Sequence, residues 1–264
     1  MKNISTALIW KLKKGYEQSI GIILILILWE AVPRLGIIHP DTLPPFSSVT
    51  MGLGRLLFSG DFSRHLWASF FRALTSFGLA SLITVPLGFA VGWYPRVARI
   101  FDPILQFLRN LPALALYPLF ILLFGLGELS KVAIIMKGTM WPILMNTTEG
   151  AKATDPLHIK AARSMGIGHL QLFTKVIFPA AFPFILTGLR LGATRSILLL
   201  VGAEMMGADE GLGFLIFDMQ HKYEIPEMYA AIIIMVIVGL ATNALLVALE
   251  KKATKWKEST NPQS

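Results

Sequence analysis

Four charged side chains interrupt otherwise apolar stretches of this sequence, and charges in such surroundings commonly mark binding or ion-pairing sites. They are Lys137, Arg190, Arg195 and Glu204. In one interpretation these side chains face a polar path across a membrane and favour an anionic solute. In the other they pair with acids or backbone groups and hold neighbouring helices together. The spacing of Arg190 and Glu204 corresponds to about four helical turns, which would bring both side chains near one helix face.

Motifs that mark hydrolytic or nucleotide-binding centres do not occur in the chain. Walker A, H-E-x-x-H, G-x-S-x-G and G-x-G-x-x-G patterns are all missing. The 5 histidines are scattered and there is no cysteine, so the sequence predicts neither a metal site nor a thiol nucleophile. We therefore expect no enzyme activity of its own. If the protein moves a solute uphill, the energy must come from an ion gradient or from another subunit.

Composition and apolar periodicity predict an all-α integral membrane protein. Apolar residues make up 54% of the 264 residues and charged residues only 15%, whereas soluble proteins average about 25% charged. Predominantly apolar stretches predict six spans in one transmembrane domain (1–264), at about 15–35, 73–95, 111–127, 130–148, 180–203 and 228–249. The first stretch also resembles a signal peptide, but no small-residue cleavage site follows Trp29, which favours a retained helix.

The distribution of Lys and Arg predicts the orientation in the membrane. With the N-terminus inside, 15 of the 24 basic residues fall on the inner side. This places both termini and the segment 155–179 in the cytoplasm. The same asymmetry explains the net charge of +8, so a nucleic-acid partner is not expected.

Smaller patterns describe how the spans pack. Polar residues recur every three or four positions through 96–110, which predicts an amphipathic helix at the inner interface or on the bundle; continuation of the third span is an open alternative. Gly88-x-x-x-Gly92 and Gly188-x-x-x-Gly192 favour close helix contacts. Prolines within the predicted spans indicate kinked helices rather than straight ones.

The polar, basic segment Asp155–Pro179 contains a short helix with clear ends. Asp155 suits the N-cap, Pro156 the first helical position, and Gly166 the left-handed position after the last turn. Leu157, Ala161 and Met165 recur four residues apart and share one face. The small side chains of this helix would let a partner protein approach closely.

This segment resembles the EAA signature of permeases in bacterial binding-protein-dependent ABC importers. The family pattern is Glu-Ala-Ala, three residues, Gly, nine residues, then Ile-x-Leu-Pro. Here the matching residues are Lys160-Ala161-Ala162, Gly166 and Val176-Ile177-Phe178-Pro179. The spacing is the same throughout, but Lys160 reverses the charge of the family's Glu, and Val176 and Phe178 replace Ile and Leu.

Further stretches are similar to the branch of these permeases that imports aliphatic sulfonates, taurine and nitrate. They lie at 43–45, 102–105, 111–119, 124–128 and 211–214. Related permeases carry pyrimidines, flavins or aromatic acids. The resemblance implies a six-helix permease with the type I ABC importer fold, forming the transmembrane path for a small anionic solute in the bacterial inner membrane.

The resemblance also implies partners and a coupling site. In this family the short helix of the EAA segment is a cytoplasmic coupling helix that docks in a groove of an ATPase subunit. Here it would contact the ATPase through Lys160, Ala161, Ala162, Arg163, Ser164, Met165, Gly166 and Ile167. ATP and Mg would be bound by that ATPase and not by this chain. The implied assembly contains a second permease copy, two ATPase subunits and an external solute-binding protein, embedded in membrane lipid. Alternatives of other classes are an ion-coupled carrier or membrane enzyme using the intramembrane Arg and Glu residues, and a structural membrane scaffold.

Overall fold

The structure is a computed structural model that describes residues 20–254. Residues 1–19 and 255–264 lie outside the described part, and with them the start of the predicted first span and both predicted cytoplasmic termini. Among the described residues all regular secondary structure is helical. The first helix, α1, covers residues 20–34.

Ten further α-helices follow along the described chain. They are α2 (Phe46–Phe58), α3 (Phe62–Trp93), α4 (Pro95–Asn110), α5 (Tyr117–Phe124), α6 (Glu128–Lys152), α7 (Pro156–Ser164), α8 (His169–Leu172), α9 (Phe178–Met205), α10 (Leu212–His221) and α11 (Ile225–Ala253). A 3-10 turn at Leu114–Leu116 precedes α5, and a π-helical turn at Phe173–Ile177 joins α8 to α9.

The chain divides into two compact units. One consists of the described residues up to Phe62 together with Ile216–Ile233. In this unit the Trp29 indole donates to the Pro44 carbonyl at 3.0 Å, and the Tyr229 hydroxyl donates to the Thr42 carbonyl at 3.0 Å. An ion pair of 2.5 Å between Arg55 and Glu227 adds a further link. These contacts fix the loop after α1 to the start of α11.

In the second unit (Ser63–Leu215 and the chain from Ile234), α6 lies between α3 and α9. A methyl group on Gly88 of α3 would lie 2.7 Å from Thr147 Cβ, and one on Gly192 of α9 would lie 2.8 Å from Ile143 Cγ1. Both glycine pairs expected to allow close packing therefore contact α6, which confirms that prediction. The absence of a side chain lets the helix backbones approach where dispersion contacts are strongest.

Within residues 20–254, three helical stretches are long and apolar enough to cross a membrane: Phe62–Trp93, His169–Met205 and Ile225–Ala253. The pair Pro95–Asn110 and Leu114–Phe124 passes the same criteria jointly, but it is bent by 86°. These stretches coincide with the predicted spans 73–95, 180–203 and 228–249 and, in part, 111–127. Helix α6 covers the predicted span 130–148. It carries several charges and is not one of the stretches that are apolar enough to cross a membrane.

Candidate functional site

Helix α7 has the two ends that the sequence predicts. The Asp155 carboxylate accepts a hydrogen bond of 2.8 Å from the Leu157 amide, which satisfies a free N–H of the first turn. At the other end, Gly166 adopts φ +75°. The Gly166 amide donates to the Arg163 carbonyl at 3.0 Å and the Ile167 amide to the Ala162 carbonyl at 3.4 Å. This pair of bonds is the Schellman arrangement, which closes a helix through a left-handed glycine.

One face of α7 is anchored in the core. Ala162 is 2% exposed and belongs to an apolar cluster with Phe89 of α3 and Ala151 of α6. Ile159 and Ile167 pack against the same cluster. The anchoring side chains are short or branched, so this face of α7 cannot shift without disturbing α3 and α6.

The opposite face of α7 is open. Leu157 is 69% and Met165 75% exposed, and no described residue covers them. The remaining predicted coupling residues divide between the faces: Lys160, Ala161, Arg163, Ser164 and Gly166 are exposed, whereas Ile167 is half-buried. Exposed apolar side chains on a firmly anchored helix are typical of a surface that another protein covers.

After a short turn at 165–168, the chain continues without a further break into α9. After α8, the π-helical turn at Phe173–Ile177 leads straight into α9. Ile177 is 1% exposed and lies in the apolar cluster that also holds Ala162. A displacement of α7 would therefore pass to α9 through both the backbone and the core.

A second polar site lies at the opposite end of α3 and α9. Arg72 of α3 donates from Nη1 to Glu204 Oε1 of α9 at 2.8 Å. It also forms a bidentate pair with Glu128 of α6, at 2.6 Å from Nε and 2.8 Å from Nη2. Glu204 is completely buried and Arg72 is 5% exposed. One guanidinium thus joins three helices, using the planar fork that suits carboxylates.

The loop after α9 closes over this cluster. Ser69 donates to the Glu204 carboxylate at 2.8 Å and accepts a bond of 2.7 Å from the Leu212 amide. The Gly213 amide donates to Glu204 Oε2 at 2.8 Å, and Arg72 Nη1 to the Glu210 carbonyl at 2.5 Å. The buried Glu204 carboxylate is therefore satisfied by a hydroxyl, an amide and a guanidinium, which offsets the cost of removing it from water.

Glycine is required twice in this loop. Gly211 adopts φ +129°, and a methyl group there would overlap the Glu204 carboxylate. A methyl group on Gly213 would lie 2.6 Å from the Val201 carbonyl oxygen. The Gly-Leu-Gly triplet at 211–213 thus lets the backbone come close enough to donate to Glu204.

The acids at the rim of the cluster are held in their charged form. The pKa of Glu128 is lowered to about 2, chiefly by the hydrogen bonds from Arg72. The hydrogen bond from Lys131 lowers it further, by a smaller amount. The neighbouring Arg64 guanidinium lowers the pKa of Glu210. Both carboxylates consequently stay ionised at any pH near neutrality.

The four charges singled out from the sequence have different surroundings. Glu204 lies in the Arg72 cluster, whereas Arg190 Nε is 3.2 Å from Glu250 Oε2 of α11. The Lys137 ammonium donates to the Leu111 carbonyl and is half-buried. Arg195 is exposed and has no hydrogen bond or ion pair within residues 20–254. Their spacing in the sequence predicts that Arg190 and Glu204 lie near one face of α9. In the structure each pairs with a residue of a different helix, Glu204 with Arg72 of α3 and Arg190 with Glu250 of α11.

Arg72, Ser69 and Glu128 are the residues of the cluster that the sequence analysis missed. The pairing of Arg72 with Glu204 spans 132 positions along the chain, so no local pattern reports it. The available signal was weak: a basic residue at the outer edge of one predicted span and acids at the outer edges of two others.

Comparison with known families and proteins gives a consistent picture. Residues 83–255 match the family described as binding-protein-dependent transport system inner membrane component. The chain is 35% identical to the putative aliphatic sulfonates transport permease protein SsuC of Bacillus subtilis (strain 168), covering 94% of this chain and 91% of that protein. It is 34% identical to the taurine transport system permease protein TauC of Escherichia coli (strain K12), covering 94% and 92% respectively.

Solved structures share the fold at lower sequence identity. A structure of the MetNI methionine ABC transporter in inward-facing conformations superposes with a TM-score of 0.63 at 18% identity, covering 72% of this chain and 94% of that chain. An amino acid ABC transporter with histidines superposes with a TM-score of 0.60 at 19% identity, covering 76% and 97%. At such identities the likeness establishes the fold alone.

Proposed function

Because the chain belongs to the family of inner-membrane components of binding-protein-dependent transport systems, we propose that it forms the membrane path for an aliphatic sulfonate or taurine. Proteins of this family are transport subunits and not enzymes; ATP is hydrolysed by a separate subunit. The solute assignment is supported by two relatives at 34% and 35% identity whose names specify sulfonates and taurine. A nitrate-like anion is the closest chemical alternative.

The observation that carries the coupling role is the two-sided character of α7. Its inner face is held by Ala162 and Ile159 in the core, and its outer face exposes Leu157 and Met165. A helix of this kind can dock in a groove of an ATPase and transmit force inward. The ATPase, with its ATP and Mg, would move α7, and α9 would follow through the π-helical turn.

We place the six predicted spans across the bacterial cytoplasmic membrane with both termini inside. The coupling segment and the Arg72 cluster lie at opposite ends of α3 and α9, as expected if one faces the ATPase and the other the external binding protein. In this orientation the Gly-Leu-Gly loop at 211–213 lies on the outer side.

A second copy of the chain would complete the path. Helix α5 has only 8 residues, about 12 Å, and cannot cross an apolar core of about 30 Å by itself. Its side chains Leu122 and Leu123 are 82% and 64% exposed. We propose that they face the partner permease in a homodimer, which would carry two ATPases and receive one external binding protein.

The test uses the permease co-purified with its neighbouring ATPase and reconstituted with the binding protein. Ala161→Trp places a bulky ring on the open face of α7, and we expect it to abolish ATP hydrolysis stimulated by the loaded binding protein. Ala248→Trp, an exposed alanine on α11, is the matched control and should leave the stimulation intact. Unchanged stimulation in Ala161→Trp would contradict the coupling role. Solute uptake by the lone chain in liposomes without ATP would instead favour an ion-coupled carrier.

A further inference from the structure

An apolar groove runs along the spanning helices of the second unit, between α3 and α11. Its volume is about 600 Å³, and all of the described residues that line it belong to this unit. Helix α9 forms the floor, where Ala193, Ser196 and Leu200 are 7%, 1% and 3% exposed. The edges are open, because Leu74 of α3 and Leu245 of α11 are 54% and 61% exposed. Three helices therefore shape a groove that opens sideways from the bundle.

The groove is as long as one bilayer leaflet is thick. Along α3 it extends from Ser63 to Phe77, which corresponds to about 21 Å at a rise of about 1.5 Å per residue. One leaflet contributes about half of the 30 Å hydrocarbon core of a bilayer. An apolar cavity of about 150 Å³ is already large enough to bind benzene. The groove thus has room for a hydrocarbon several times larger, provided that it is long and slender.

The hydroxyl groups that line the groove below its outer rim are already used within the protein. They are Ser69, which donates to Glu204 at 2.8 Å, Ser196, which donates to the Ala73 carbonyl at 3.3 Å, and Thr242, which donates to the Val238 carbonyl at 2.8 Å. An ordered water needs two to four polar partners, and the charged group of a sulfonate needs at least as many. Neither is provided for here, so the occupant that fits the wall is a hydrocarbon chain.

The groove lies on the side of α9 that points away from α5. A methyl group on Gly202 would lie 2.9 Å from Leu114, in the 3-10 turn that precedes α5. At 3.6 residues per turn, Ala193 and Leu200 lie about 180° and about 160° around α9 from Gly202. The homodimer face proposed at α5 is therefore on the other side of α9. A second copy bound there would leave the groove open to the lipid.

The outer rim of the groove is polar, whereas its deeper part is apolar apart from the bonded hydroxyl groups. At the rim, Ser63 is exposed, and the adjacent Arg64 pairs with Glu210. Trp67 follows on α3 with its ring 5.9 Å from that of Phe70, and both line the groove. Tryptophan is enriched at the level where lipid headgroups meet hydrocarbon. This order, a polar rim, an aromatic pair and an apolar channel, matches the headgroup and the chain of a phospholipid.

We propose that the groove holds one acyl chain of an outer-leaflet phospholipid as a bound component of the permease. The proposal goes beyond the transport role, and only the choice of leaflet uses the orientation proposed above. A chain in the groove contacts α3, α9 and α11 at once, whereas a chain on a flat helix surface has protein on one side. Within a bilayer, such packing contacts are what distinguish one apolar position from another. The bound lipid therefore exchanges more slowly than its neighbours and remains through purification.

The test counts the phospholipids that stay bound to the purified complex. The permease and its ATPase are reconstituted in vesicles of phosphatidylethanolamine and phosphatidylglycerol, extracted, washed in detergent and weighed by native mass spectrometry. We expect one retained phospholipid per permease chain. Ala73→Phe places a ring in the groove and should remove this lipid. Ala244→Phe is the matched control, since Ala244 is exposed and lies about 160° around α11 from Thr242, and it should keep the lipid.

A second variant fills the groove after the protein has folded. The chain contains no cysteine, so Thr242→Cys provides a single thiol in the groove wall. Its reaction with benzyl methanethiosulfonate attaches a short apolar group, which should displace the retained lipid from the assembled complex. The same reaction at Ala244→Cys should leave the lipid count unchanged. This comparison decides the matter if Ala73→Phe does not assemble.

A parent complex that retains no phospholipid would overturn the proposal, and this is the result expected if another protein chain covers the groove. Equal lipid counts in the parent, Ala73→Phe and labelled Thr242→Cys would overturn it too, because the retained lipid would then lie elsewhere. So would an equal loss in Ala244→Phe. The count depends on neither solute nor ATP hydrolysis, so its outcome is separate from that of the coupling test.

Discussion

Arg72 and Glu204 are joined by a hydrogen bond of 2.8 Å that links α3 to α9 at the ends remote from α7. The same guanidinium binds Glu128 of α6, so the three helices that pack together in the second unit are fastened at one point. At their other ends these helices meet the apolar cluster around Ala162. The far end of the bundle from α7 is therefore held by one buried ion pair, Arg72–Glu204, and by the partly exposed pair Arg72–Glu128.

Removing Arg72 is expected to destabilise the protein by about 3–5 kcal/mol, because the Glu204 charge then stays buried with only neutral donors. Glu204→Leu should cost less than Arg72→Leu, because Arg72 keeps its bidentate pair with Glu128. Thermal unfolding of the purified chain in detergent measures both effects. The exposed pair Lys222 and Asp218, 2.6 Å apart, is the control, and Lys222→Gln should cost less than about 1 kcal/mol. Similar costs for the buried and exposed pairs would contradict the role assigned to Arg72.

The glycines over the cluster give a second prediction. Gly211→Ala and Gly213→Ala each force a methyl group against Glu204 or the Val201 carbonyl, and we expect a loss of about 1–3 kcal/mol in each. Gly78→Ala is the matched control, since nothing lies within 4 Å of a methyl group there and Gly78 is inside α3. Alanine at 78 should stabilise by about 0.5–1 kcal/mol. If Gly78→Ala and Gly213→Ala shifted the melting temperature in the same direction, the close approach of Gly213 to the Val201 carbonyl would be contradicted.

Acid should weaken the outer rim of the cluster. The pKa of Glu128 falls from 4.5 to about 2 on folding, so its contribution is complete above pH 4.5 and is lost as the pH falls toward 2. The lowered pKa of Glu210 acts in the same direction. We expect the melting temperature to decline across this window, and Glu128→Gln to flatten the decline. A profile identical in the parent and in Glu128→Gln would exclude Glu128 as a source of the acid sensitivity.

Lys160 stands where the family signature has Glu, and it is exposed on α7. We expect Lys160→Glu to weaken coupling to the native ATPase several-fold, because the groove that receives α7 must match the charge present in this chain. The loss should shrink as salt is raised, since exposed charges are screened. Stimulated ATP hydrolysis at low and high ionic strength measures it, with Lys251→Glu at the end of α11 as the control. A gain of coupling would show instead that the groove suits the Glu of the family signature.

Local signals in the sequence defined both ends of α7. Asp155 and Gly166 set the ends of α7 through bonds to residues at most five positions away, so their neighbours in sequence contain the whole interaction. The apolar lengths of α3, α9 and α11 likewise follow from composition alone. Gly88 and Gly192 indicated close packing, but not that α6 was the common partner.

Tertiary structure decided which charges bind one another. Four intramembrane charges were visible in the sequence, yet their spacing could not tell that Glu204 pairs with Arg72, that Arg190 pairs with Glu250, or that Lys137 and Arg195 have no acid beside them among residues 20–254. It also decided the 86° bend after α4. The physical reason is range: caps and apolar periodicity depend on contacts within one or two helical turns, whereas the energy of a buried charge depends on side chains that folding brings from distant parts of the chain.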